Sequence, residues 1–226
     1  SFYPQLTKSY AAGDWTKVKK MHFTGPKLAF CIMAALVVPF SLNLDYILRL
    51  WLEKVPLHTG MFIRIILGSS LISILATTSN TLVRATGKIR TYEISLNVII
   101  WSFFGITYLC LRSDMSIYVP YSILVINSLI TSLYTANYSC RCIGVKSIEY
   151  YRSVHFPMIT SLFIAIGIAS YLLPKSENLL SLCFNIVVTI SIVVFCNYTL
   201  GLNSSEKKIV IQIAKTMINK LKKNEA

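Results

Sequence analysis

The chain has 226 residues, 54% of them hydrophobic, with a mean hydropathy of +0.61, yet 22 Lys and Arg face only 9 Asp and Glu, for a net charge of +13. Charged residues make up 14%, against about 25% in an ordinary soluble domain, so the basic excess must sit in short polar stretches between long apolar ones. Abundant aliphatic residues exclude disorder, six Cys scattered in mostly apolar surroundings exclude a disulfide scaffold, and an all-α polytopic membrane protein is the class that remains.

The first residue is Ser1 and no signal sequence opens the chain, so the natural beginning is expected to lie upstream. Residues 1–27 read as a loop carrying Lys8, Lys17, Lys19, Lys20 and Lys27. Six apolar runs then follow, at Leu28 to Leu44, Met61 to Leu82, Ile94 to Leu111, Ile117 to Tyr138, Val154 to Leu173 and Leu179 to Leu200. Each is close to the ~20 residues that a spanning helix needs. Helix is required because backbone polar groups in lipid have to be satisfied locally. Pro39, Pro120 and Pro157 are candidate bends. The segment from Asp45 to Gly60 is too short and too charged to span, and reads as the end of the first helix plus a tight return.

Assigning the loops alternately to two sides places 17 Lys and Arg on one side and 4 on the other, with Arg64 alone inside a span. Lys and Arg favour the cytoplasmic side of short loops, so both ends of the chain are expected in the cytoplasm. With the acids included, the inner face carries +12 and the outer face is neutral. No carboxylate falls within a span, so the usual membrane proton or sodium relay is missing from this segment.

Residues 201–226 form a last unit. Leu202 to Lys223 reads as a basic amphipathic helix with Val210, Ile213, Ala214, Met217, Ile218 and Leu221 on one stripe. Asn203 or Ser204 is its cap, and Glu206 stands where a capping box places it. A basic helix beside a span is read as lying on anionic membrane lipid rather than binding nucleic acid.

No soluble catalytic motif is present, and no enzyme activity, cofactor or metal site is expected. Cys140 and Cys142 have no partner ligand close in sequence. Cys31, Cys110, Cys183 and Cys196 are read as small buried hydrophobes. The three His are isolated in sequence; His22 and His58 are read as loop residues and His155 as an interfacial one. Ser69, Ser70, Ser73, Asn127, Ser128, Thr131 and Ser132 are read as close helix packing.

Arg64 is the most informative single residue. It either snorkels to the surface or faces a cavity and offers positive charge to an anionic substrate. On the same run Arg64, Leu71, Thr78 and Ala85 recur every seven residues, and Thr77, Asn80, Thr81 and Arg84 make its inner third polar. Arg64, Asn80 and Arg84 are therefore the candidate substrate-binding residues.

Four polar segments carry a resemblance. "YPQLTKSYAAGDWTKVKK" (Tyr3 to Lys20), "YILRLWLEKVP" (Tyr46 to Pro56, with Glu53 where the family has Gly), "ATGKIRTYEI" (Ala85 to Ile94) and "LGLNSSEKK" follow one another in the order and spacing of polysaccharide flippase loops. The chain thus resembles bacterial polysaccharide flippases of the multidrug/oligosaccharidyl-lipid/polysaccharide exporter superfamily. The resemblance implies the last six of about fourteen helices, with a missing N-terminal lobe as partner. It also implies turnover of an undecaprenyl-pyrophosphate-linked oligosaccharide across the inner membrane for surface polysaccharide assembly. A multidrug or metabolite antiporter of the same superfamily, a membrane-embedded glycosyltransferase or polymerase, and a non-transporting subunit are the alternatives.

Overall fold

A computed structural model describes residues 2–113, 115–174 and 176–212. The described residues are helical, with no strand. The elements are α1 (Phe2–Ala11), α2 (Trp15–Leu42), α3 (Leu44–Trp51), α4 (Thr59–Ile74), α5 (Thr77–Ala85), α6 (Ile89–Arg112), α7 (Tyr118–Cys142) and α8 (Ser147–Tyr150). A π turn (Tyr151–His155) leads into α9 (Phe156–Leu172), and α10 (Leu179–Cys196) ends in a second π turn (Asn197–Gly201). A final helix, α11, begins at residue 204 and is described as far as 212. Five of the six sequence-predicted stripe positions of that helix, Ile213, Ala214, Met217, Ile218 and Leu221, lie outside the described residues.

Among the described residues, five helices are long and apolar enough to cross a membrane, and α4 with α5, bent by 41° at the break between them, is long and apolar enough when taken as a pair. The chain is an all-α, multi-pass membrane protein. The first span is longer than its apolar run, because α2 starts at Trp15, where Asp14 Oδ1 accepts the Lys17 backbone N–H at 3.0 Å. The region read as a loop over residues 1–27 is therefore mostly helix: α1, a turn, and the first half of α2. Gly13 makes that turn at φ +71°, and Gly87 makes the α5 to α6 turn at φ +72°. Both follow helix ends, where the left-handed conformation closes the last carbonyls at least cost to glycine.

The bend between α4 and α5 contains no proline. At the break, Leu75 and Ala76 donate to carbonyls three residues back, Ile72 and Ser73, at 3.3 and 3.1 Å. Thr77 Oγ1 takes the Ile74 carbonyl at 2.8 Å and Ser73 Oγ takes that of Ser69 at 2.9 Å. Hydroxyls that capture ladder carbonyls tighten and bend a helix. The seven-residue repeat from Arg64 to Ala85 therefore does not form one continuous face.

The main core joins α2, α4, α7, α9 and α10 through Phe30, Val38, Leu71, Leu75, Val154, Met158 and Val193. Ala34, Ala136 and Ala165 are fully buried among them, and such small side chains let helix backbones approach. A smaller core of Leu6, Val18, Met21, Leu82 and Ile143 seats α1 on the start of α2. Helix α6 is peripheral: only Tyr92 is buried, with its Oη 3.0 Å from Thr135 Oγ1 of α7. Its outer face presents Val98, Trp101, Phe104, Tyr108 and Leu109.

Candidate functional site

Arg64 lies on the second turn of α4, beside the C-terminal end of α2. Its Nη2 is 2.9 Å from Asp45 Oδ2 on the first turn of α3, and its Nε donates to the Ser41 carbonyl at 3.1 Å. Gly60 makes room for the pair, since a Cβ there would stand 3.1 Å from Asp45 Oδ1 and 3.3 Å from Arg64 Nη1. The guanidinium is thus neither a free snorkelling charge nor an unpaired one. It borders a cavity of about 470 Å³ lined by α2, α4, α7 and α9, whose other walls include Phe30, Val38, Leu71, Leu75, Leu129 and Ile166. The cavity is apolar along its length and cationic at one end. Because the Asp45–Arg64 pair is more than a third exposed on both sides, it is worth ~1 kcal/mol or less. A phosphate oxygen has only a weak competitor for that guanidinium.

Asn80 and Arg84 sit elsewhere. Arg84 Nε donates to Asn80 Oδ1 at 3.1 Å, one turn earlier on α5, and its Nη2 is 3.2 Å from Glu93 Oε1 on α6. Asn80 and Arg84 stand 16 and 20 residues beyond Arg64, about 24 and 30 Å at the usual rise before the bend shortens it. The three candidate residues therefore form two places, at opposite ends of the α4–α5 span. The second is an internally paired cluster in which Arg84 is exposed and Asn80 and Glu93 are half-buried.

Of the serines read as packing residues, one bonds across a helix interface and four bond within their own helices. Ser69, Ser70, Ser73 and Ser128 line a shallow groove between α4 and α7, and each hydroxyl donates to the carbonyl four residues back on its own helix. Ser132 Oγ crosses to the Ile72 carbonyl at 3.3 Å. Of the cysteines read as small buried hydrophobes, Cys196 is buried, Cys31 and Cys110 are half-buried, and Cys183 departs from the expectation by being exposed; Cys140 is buried and Cys142 half-buried. No group of three His, Cys, Asp or Glu among the described residues is placed to hold a metal ion.

Two buried features were not anticipated from the sequence. Lys27 Nζ donates to Glu206 Oε2 at 2.9 Å with side chains 1% and 7% exposed, tying α2 to α11 across 179 residues. The same Glu206 oxygen accepts the Asn203 backbone N–H at 2.8 Å, which is the reciprocal half of a capping box. The second feature is a ring cluster. His22, read as a loop residue, is fully buried in α2 and stacks on Tyr150 at 4.5 Å, while His155 meets the same ring edge-on at 5.6 Å. Tyr150 Oη is 3.2 Å from Ser79 Oγ of α5. A burial pattern with period 3.6 through Trp15 to Lys27 was the available signal for His22 and Lys27; their partners, far along the chain, had none.

No family model matches the chain, and neither a curated protein nor a solved structure matches it.

Proposed function

We propose that this chain is one lobe of a transporter in the bacterial inner membrane that turns undecaprenyl-pyrophosphate-linked oligosaccharide units from the cytoplasmic to the outer leaflet. Both ends of the chain are then cytoplasmic, in keeping with the 17 to 4 division of Lys and Arg. No bond is made or broken; the chemistry is recognition and movement.

The observation that carries the reading is the apolar cavity with Arg64 at its end. A lipid-linked pyrophosphate is a long apolar chain joined to a dense anion. Removing that anion from water is costly unless charge-assisted hydrogen bonds replace its hydration. Arg64 supplies a planar, permanently charged fork for phosphate oxygens, and Asp45 holds it in place until an anion arrives. The order and spacing of the four polar segments support the same reading. A second lobe facing this one would complete the cavity.

The test is polysaccharide export by the intact protein carrying Arg64→Ala, Arg64→Lys or Asp45→Asn. Loss of a charge-assisted bond to phosphate, ~1.5 kcal/mol or more, lowers export roughly tenfold or more in Arg64→Ala. Arg64→Lys keeps part of the activity because the charge remains and the fork does not. Membrane insertion is unchanged in all three. Normal export by Arg64→Ala would return Arg64 to a purely structural pairing with Asp45.

A further inference from the structure

At the end of the bundle away from Arg64, a cavity of about 630 Å³ opens between the start of α2, the α7 to α8 turn and the start of α11. Three lysines from two distant stretches of chain line it: Lys19 and Lys20 on α2, and Lys146 before α8. Thr24, Asn203 and Ser205 add hydrogen-bonding groups, and Phe23, Val145 and Ile209 add apolar wall.

The charge balance within this cavity is uneven. Glu206 lines it, but its carboxylate is already engaged by buried Lys27 and by the Asn203 N–H. Glu149 also lines it and is exposed. No carboxylate among the described residues lies within 4 Å of Lys19, Lys20 or Lys146. Three cations thus converge with one uncommitted acid. The depth of the cavity narrows the choice of anion. Lys20 stands eight residues before the apolar run that begins at Leu28, or about 12 Å along a helix, which puts its ammonium at the membrane surface, on the outer edge of a headgroup layer roughly 5–8 Å deep. A cavity of mixed polar and apolar wall, cationic and at that depth, suits an amphiphile with an anionic phosphate.

We propose that this cavity binds the phosphate headgroup of an anionic membrane phospholipid, with Lys19, Lys20 and Lys146 on the phosphate and Phe23, Val145 and Ile209 against its glycerol and upper acyl carbons. The site is separate from the Arg64 cavity, and its occupancy does not depend on transport. A bound lipid would bridge α2, the α7 to α8 turn and α11, the same elements that the Lys27–Glu206 pair begins to join.

The experiment uses the whole chain purified in neutral detergent, with bound lipid counted by native mass spectrometry. Phosphatidylglycerol and phosphatidylcholine are offered in equal amounts, with and without millimolar inorganic phosphate. Each lysine near an anionic headgroup contributes roughly a fivefold preference. The wild-type chain retains phosphatidylglycerol over phosphatidylcholine, and Lys19→Gln/Lys20→Gln/Lys146→Gln lowers that preference by roughly tenfold or more. Lys8→Gln/Lys54→Gln/Lys88→Gln, which removes the same charge from other exposed positions, keeps it. Circular dichroism establishes that both variants are folded. Equal preference in the two triple variants would overturn the proposal, since the attraction would then be to net charge alone. Displacement of phosphatidylglycerol by inorganic phosphate would overturn it too, because the cavity would be reading a free anion and not a lipid.

Discussion

Lys27 and Glu206 form an ion pair with both side chains buried. A buried ion pair is weak evidence for net stability, because desolvation offsets the Coulomb attraction, but removing one partner leaves a charge with no compensation. Lys27→Met is therefore expected to destabilise the chain by about 3–5 kcal/mol. Lys27→Met/Glu206→Leu, which removes both charges, recovers most of that loss. Denaturant unfolding in detergent measures both, and a double variant no better than the single would mean that the pair is not the relevant contact. Gly60 is a smaller case at the other end. Gly60→Ala places a methyl group against Asp45 and Arg64, so the guanidinium has to shift. Export should fall less than in Arg64→Ala, while the fold is retained.

At the scale of elements, a polar network fixes the far end of α2 to the loop before α10. Asn185 Nδ2 donates to the Pro174 carbonyl and to Ser176 Oγ, both at 2.9 Å, and Ser176 Oγ donates to Asn43 Oδ1 at 2.7 Å. Asn43 in turn donates to the Pro39 carbonyl at 2.9 Å. Asn185 and Asn43 are buried, so Asn185→Leu leaves partners unsatisfied and is expected to cost about 1–3 kcal/mol. A melting temperature unchanged by the substitution would show that water replaces the amide.

The elements also show what was legible beforehand and why. The six spans could be read because runs of about 20 apolar residues have few alternatives in lipid or in water. Their ends were missed, because α2 continues through the polar stretch from Trp15 to Lys27, where only apolar residues at helical spacing hint at the contact of Val18 and Met21 with Leu6 of α1. The bend after Ile74 was hidden for another reason: Ser73 was read as a packing group and Thr77 as part of a polar inner third, and their bonds to ladder carbonyls depend on local geometry. Of the candidate site, Arg64 was legible as a lone charge in an apolar run. Asp45 was legible only as an acid of the outer loop, since its pairing with Arg64 needs α3 to fold back beside α4. Asn80 and Arg84 were grouped with Arg64 on the assumption of one straight helix, which the 41° bend removes.

For the whole molecule, the excess of charge at one end predicts its orientation. In a cysteine-free background, a membrane-impermeant maleimide applied to intact cells should label Lys54→Cys and leave Ser205→Cys unlabelled until the membrane is opened. The reverse pattern would invert the topology. Helix α6 makes a further statement at this scale: its exposed Trp101, Phe104 and Leu109 belong against lipid or another lobe, so the molecule is built to be embedded on that side. The central claim is that the protein moves a lipid-linked oligosaccharide, and it is tested most directly in cells lacking the gene, by measuring surface polysaccharide and the lipid-linked repeat unit inside the cell together. The account predicts that the polysaccharide disappears while the lipid-linked unit accumulates in the cytoplasmic leaflet. Normal surface polysaccharide without that accumulation would contradict it.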